Sequence, residues 1–512
     1  MTTRRRDFLL QVCGASLAGT LPNLSGTLAL STLSRAEAAI VPEMVQLRPE
    51  IEPIVRLIEH TPREKCFPMV VEQLRRGLPY RQFLAALYLA GIRNVSPQPP
   101  GFKLHCVFAI HAAHQLSLDA PVGERLLPLF WSLDAFKASQ QRDVEEGDFR
   151  LRPVAGKLPS GTLAWDEFHN AMEAWDEQRA DRAITALVRE RGAHEIIAEL
   201  WRYGARDYRN IGHKAIFVAN TWRTLQTIGW QHAEPALRSL VLGLLDYGPK
   251  ERVNSYAYED QCYAANSELA RKHAARLPSN WVASHSSDKN ATEEVLMLVR
   301  NGKTTEACVR TAALLADGKA AANHLWDAVH LAAGELMMRR PGIYGIHTVT
   351  SVNGLHYGFR VAREDETRLL LLLQGVGWMS QFANFMSDSS DFGDAEITAL
   401  QSSEQPSDQS KSARLILSEL AGDPVAAAKQ AFGHAERHPE PHVLEQSSKS
   451  LIFRKGTDAH DYKYAAAIFE DYRLVSPRWR PHMLATAVYN LRGSTEPDSK
   501  LMLRAREAIG QL

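Results

Sequence analysis

Cysteine is scarce in this 512-residue chain and follows no pattern. The five cysteines stand at 13, 66, 106, 262 and 308, with no C-x-x-C pair, so neither a zinc ribbon nor a thioredoxin-like motif can be built from them. There is no surplus of either charge: 59 basic residues balance 59 acidic ones. A nucleic-acid partner, which needs a basic face, is therefore not expected. No apolar run approaches about 18 residues without a charge, which excludes an ordinary transmembrane helix. Strand-like alternation is rare. Asn301-Gly302 and Asp317-Gly318 fall between helical patterns rather than between strands.

Several catalytic signatures are missing as well. There is no G-x-S-x-G elbow. Gly375-Val376-Gly377 lacks the third glycine of a dinucleotide fingerprint, and Ile-Ile-Ala after His194-Glu195 breaks H-E-x-x-H. No histidine has a glutamate three residues before it, as a di-iron bundle requires.

What remains is an ordinary globular composition, 45% hydrophobic, 23% charged and 8% aromatic. The length suggests about three units at roughly 150 residues each, or fewer for a large helical protein. Apolar residues recur at helical spacing over 66–90, 181–203, 232–247, 305–316 and 410–432. Gly91, Gly192, Gly229, Gly248 and Gly422 read as helix stops. The expectation is an all-α, multi-helical fold of packed antiparallel helices, without a regular solenoid period.

The first 38 residues read as an address. Arg5-Arg6 with Phe8 and Leu9 fits a twin-arginine signal. A weakly apolar stretch follows, then Ala36-Glu37-Ala38 as a cleavage box. This predicts a periplasmic or otherwise exported protein, carried by the twin-arginine translocase and left with no stable membrane anchor after cleavage. The mature chain would carry a charge of about −2. Four mature cysteines in an oxidising compartment could pair in three ways. The route also serves proteins that acquire a cofactor before export.

Residues 387–412, rich in Ser, Asp, Gln and Glu, read as a polar loop or linker. The expected organisation is a signal at 1–38, a helical domain at 39–386 carrying most of the candidate ligands, the linker, and a helical part at 413–512 that completes the site. A softer break lies at 137–162.

Histidine carries the candidate chemistry. Leu104–Leu116 holds His105, His111 and His114 in an otherwise apolar helix. His111 and His114 share a face, and His105 lies about 120° round from His111. Gly212-His213 opens a second apolar stretch, and Gly345-Ile346-His347-Thr348 sets His347 among small and apolar residues. Thr457 or Asp458 would cap a helix in which His460 and Lys463 face the same way. Small apolar residues after Lys463 suggest a buried amine, and burial favours its neutral form. A neutral amine can add carbon dioxide to give a carbamate, an anionic oxygen donor. A lysine snorkelling to the surface is the other reading. His434, His438 and His442 are spaced by four, but Pro439 and Pro441 interrupt them, and the segment reads as surface. Phe217, Trp222, Tyr344, Trp378 and Tyr462 are candidates for a pocket wall or for ordinary core.

Taken in order, these islands resemble the questin oxidase-like family. His347-Thr348-Val349-Thr350-Ser351 resembles its H-x-V-T-S element, and Gly212-His213 with Ile216 its G-H-x-x-I element. Asp458-Ala459-His460-Asp461-Tyr462-Lys463 is similar to its D-x-x-H-x-x-K element, one residue shorter. The 111–120 stretch is similar to its early His-bearing helix. The resemblance implies a helical oxygenase holding a mononuclear non-haem iron, Fe(II), on four histidines and a carboxylated lysine. Carried across, the metal ligands are His111, His213, His347, His460 and Lys463, with His114 the alternative to His111. It also implies Baeyer–Villiger-type or ring-cleaving oxidation of an aromatic, polyketide-like substrate by dioxygen, with NADPH as one candidate reductant. No catalytic residue beyond the ligands is assigned. Two other readings stay open: a non-catalytic, helical-repeat-like periplasmic binding or scaffold protein, and a zinc hydrolase.

Overall fold

The structure, a computed structural model, describes residues 44–247, 258–283 and 289–510. The signal-like segment, Cys13 and Gly248 lie outside the described residues. Among these the secondary structure is entirely helical, in α-helices and short 3-10 turns. None of these helices is long and apolar enough to cross a membrane. Residues 43–512 form one compact unit.

Three consecutive helices make its centre: Ala322–Arg339, Ile343–Val361 and Asp365–Ser387. Short connections fold each back on the one before, so they pack as antiparallel neighbours. Their polar residues do not gather on one face. Leu369–Gln381 is buried on every side of its helix, so no solvent-facing stripe exists to impose the amphipathic signature of a surface helix. Close approach replaces bulk at the crossings. A Cβ on Gly354 would stand 3.3 Å from the Ala215 carbonyl oxygen, and one on Gly358 2.7 Å from Trp201.

Around this centre most helices are shorter, and several, such as Glu177–Glu190 with Ala180, Ala183, Ile184 and Leu187 inward, are amphipathic, with stops where turn chemistry sets them. The 66–90 pattern is two helices, Cys66–Arg75 and Tyr80–Asn94. Gly91 does not end the second one. It sits inside it because a side chain there would meet Val107 at 2.8 Å. Gly229, at φ 111°, does terminate His213–Ile228. Gly302 and Gly318 take the left-handed conformation in the two expected turns. Aspartates cap several helices: Asp176, Asp408, Asp423 and Asp458 each accept backbone N–H groups.

The expected polar loop at 387–412 is a loop over 388–408 with one 3-10 turn, Ile397–Ala399, and its last four residues already belong to the helix Gln409–Glu419. Helices before and after it pack together: Ala459–Leu474 lies against both His105–Leu118 and Ile343–Val361. Cys66, Cys106, Cys262 and Cys308 are all buried and free, so none of the three pairings is present. His434 is not at the surface. It is fully buried, with Nδ1 2.8 Å from the Ser412 hydroxyl, and His438 is buried beside it. The prolines break the helix between His438 and His442 as expected, but the preceding turn packs into the core.

Candidate metal centre

Four helices begin at one place. His105 and His213 are the first residues of their helices, His460 the second residue of Ala459–Leu474, and His347 the fifth of Ile343–Val361. Near a helix start, side chains lean back toward the N-terminus, and these four imidazoles meet ahead of the helix ends. His213 Nε2 lies 3.0 Å from both His105 Nε2 and His347 Nε2. His105, His347 and His460 each offer a ring nitrogen within 4.8 Å of the other two.

The outer ring nitrogens are all occupied. Nδ1 of His105 faces the Phe102 carbonyl at 2.7 Å and Nδ1 of His347 faces that of Ile343 at 2.6 Å. Nδ1 of His213 faces the Asn210 carbonyl, and Nδ1 of His460 faces the Asp458 carboxylate. A carbonyl can only accept, so His105, His213 and His347 carry their proton on Nδ1 and point a lone pair inward from Nε2. His460 Nε2 is buried with no hydrogen-bond partner. Backing of this kind fixes the tautomer and orientation of metal-ligating histidines.

Each sequence island has a structural task here. Asn210, Ile211 and Gly212 turn through left-handed conformations at φ 50°, 54° and 84°. That turn brings the Asn210 carbonyl back onto His213. A Cβ on Gly212 would lie 2.6 Å from Ser351 Cβ, the last residue of the H-x-V-T-S string. We expect Gly212→Ala to cost about 2–5 kcal/mol through φ strain plus this collision. Thermal unfolding of the metal-free protein checks this; an unchanged melting temperature would contradict it. Asp458 serves twice, capping the His460 backbone N–H and holding its imidazole. Burial raises the Asp458 carboxyl pKa, but the hydrogen bonds from His460 outweigh this and bring it down to about 2.

Lys463 lies one turn beyond His460. It is 4% exposed, and its Nζ has no hydrogen-bond partner. Burial pushes its amine down to about 7. It does not snorkel. It lines a cavity of about 20 Å³, room for one small molecule, together with His111, Ile216, Thr350, Asn353 and Glu470. In the same wall Arg223 donates to Glu470 at 2.6 Å and to Asn353 at 3.0 Å.

His213, His347 and His460 stand together as the sequence suggested. His111 does not join them, and His105 takes its place. The helix starts at His105, after the Phe102–Leu104 turn, so His111 lies six residues along and about 120° round. His111 faces the small cavity instead, with its Nδ1 unpartnered. His114 is engaged by the Tyr80 hydroxyl at 2.9 Å. The stretch Pro97-Gln98-Pro99-Pro100-Gly101 is a turn signal that points to His105, because it places that residue near a helix start, as Gly212 does His213. The proposed aromatic wall is mostly core: Trp131 stacks on Tyr462, and Tyr208 lies beside Trp378. The ring that does cover the centre is Phe108, stacked on His213 at 5.7 Å.

Burial holds the imidazoles of His105, His213, His347 and also His356 well below the ordinary histidine range. Below about pH 6.5 the unfolded chain therefore binds protons that the metal-free folded protein does not. Stability then falls with falling pH, by up to about 1.4 kcal/mol per pH unit for each such group. Urea unfolding of metal-free protein at about pH 7 and pH 5 should show a loss of several kcal/mol. A flat profile would mean that these rings can protonate in place.

The donor set suits a cation. The His213 lone pair, which would repel those of His105 and His347 at 3.0 Å each, and an orphaned fourth nitrogen would all be satisfied by one positive centre. Four helix N-termini also direct partial positive charge at the centre, which favours an anionic further donor. Comparison with protein-family models, with curated proteins and with solved structures finds no match to this chain.

Proposed function

We propose that this protein is a mononuclear non-haem iron oxygenase of questin oxidase-like type. Its substrate would be an aromatic, polyketide-like compound, and it would be exported by the twin-arginine route. The observation that carries this reading is the convergence of four imidazoles, two buried and two half-buried, three with the Nε2 lone pair fixed inward, beside an unpartnered buried lysine. Imidazole accepts iron, zinc, copper or nickel, and a hard oxygen donor shifts the preference toward Fe(II). Four imidazoles and a lysine exceed the three protein donors of a usual zinc hydrolase site, which favours the iron reading over that one.

His105, His213, His347 and His460 would hold the ion, and Lys463 would complete the set. Its neutral amine would add to the carbon of carbon dioxide and give up one proton, leaving a carbamate as an anionic oxygen donor. Bound Fe(II) supplies redox chemistry toward dioxygen. The residues around it do the rest. Phe108 shields the imidazoles from water. The cavity beside Lys463 has room for a molecule the size of dioxygen. Phe102 and Ile343, whose carbonyls hold two of the rings, carry apolar side chains that are 61% and 45% exposed. They give the rim of the site a surface suited to an aromatic body.

The reading is tested on protein purified from an exporting host, by metal analysis and by oxygen uptake with a polycyclic phenolic ketone, with and without NADPH. Stoichiometric iron and substrate-dependent uptake are expected. Metal-free protein with no uptake would leave a helical binding or scaffold protein.

A further inference from the structure

Apart from the histidine centre, a cavity of about 820 Å³ opens where the loop 96–103 meets the extended segment 147–155 and two helices, Glu177–Glu190 and Ala233–Leu244. Its volume is in the range of small-molecule sites. Its charges are unevenly matched. The four carboxylates that line it are each already engaged: Asp143 and Glu146 by Lys103, Asp148 by Arg150, and Asp181 by both nitrogens of an Arg238 fork at 2.7 and 2.8 Å. Two guanidiniums are left over. Arg152 and Arg182 make no side-chain hydrogen bond or ion pair among the described residues.

Arg238 adds a second, independent observation. It is 2% exposed, yet its Nη1 has no hydrogen-bond partner. A buried charged donor left unpaired is costly, and this one belongs to a side chain that lines the cavity. Its Nη2 donates to the Arg152 carbonyl at 2.7 Å, which brings the Arg152 backbone against it. Phe149, Leu151 and Leu242 supply apolar wall beside these groups.

We propose that this cavity binds an organic oxyanion: an acid whose carboxylate or phosphate meets Arg152, Arg182 and Arg238, and whose apolar body rests on Phe149, Leu151 and Leu242. Guanidinium forks match such oxygens in geometry as well as charge. The proposal is independent of the iron reading, since no residue is shared. The two are neighbours through one loop: Pro99 and Lys103 line the cavity, while a Cβ on Gly101 would stand 3.2 Å from the His213 ring.

Calorimetric titration of the full chain with phenylacetate, phenyl phosphate, phenylacetamide and inorganic phosphate tests this. Saturable binding of phenylacetate or phenyl phosphate, with none of the neutral amide, is expected, and the tighter of the two identifies the head group. The Arg152→Ala/Arg182→Ala variant should weaken that binding at least about tenfold while the ligand-free melting temperature stays unchanged. Should that variant fail to fold, Arg182→Gln carries the same test. Equal binding of the amide, no saturable binding, or binding indifferent to these substitutions would overturn the proposal. Inorganic phosphate binding as tightly as phenyl phosphate would mean an adventitious ion only, and would overturn it too.

Discussion

If the centre holds an ion as proposed, substituting alanine at His213 or at His347 will abolish metal binding while leaving the helical content intact. Each ring supplies a lone pair that nothing else in the described residues can replace, and each is held by a backbone carbonyl rather than by a neighbour that could substitute. Loss of partners that only orient such ligands already costs about 10–100-fold in metal affinity. Loss of a ligand should cost at least the upper end of that range. The metal-free variants should show the opposite trend. Removing His213 takes away two unfavourable contacts between lone pairs at 3.0 Å and one imidazole that resists protonation. Metal-free His213→Ala should therefore lose less stability on acidification than the metal-free parent. Metal analysis with urea unfolding at two pH values reads both effects. Full metal content in either variant would remove His213 or His347 from the centre.

The second large effect separates two histidines of one helix. His105→Ala should lose the metal, and His111→Ala should keep it in stoichiometric amount. His105 Nε2 lies 3.0 Å from His213 Nε2 and its Nδ1 is held by Phe102. His111 faces the cavity beside Lys463, and its pKa lies well below the ordinary range chiefly through burial, then through Arg223 and His114. Its loss should alter what the cavity admits rather than what the cluster binds. Metal loss in His111→Ala with retention in His105→Ala would reverse the assignment and require the 105–118 helix to turn by about 120°.

How far the sequence disclosed this arrangement depends on which physical signal each part carries. The all-helical class was legible because the outer helices are amphipathic and end at glycines such as Gly229 and Gly302. The central helices carry no period, being buried all round, so Gly375-Val376-Gly377 and the leucine run before it looked featureless. Gly91 misled because a glycine needed for close packing against Val107 has the same letter as a glycine that ends a helix. At the site, His213, His347 and His460 were legible from their small, apolar surroundings and from Asp458 as a cap. His105 was not, because a shared helical face groups His111 with His114 and leaves His105 apart. What decides the matter is where the helix begins. His105 leads its helix as His213 leads another, and a shared face counts for less than a shared end. The anion cavity left no motif, since Arg152, Arg182 and Arg238 come from three separate segments.

The central claim is tested most directly by anomalous diffraction at the iron edge on crystals of the protein purified with its native metal. The account predicts a single peak about 2.0–2.2 Å from Nε2 of His105, His213, His347 and His460, with density joined to Lys463 Nζ. A peak elsewhere, or imidazoles hydrogen-bonded to water with no peak between them, would contradict it.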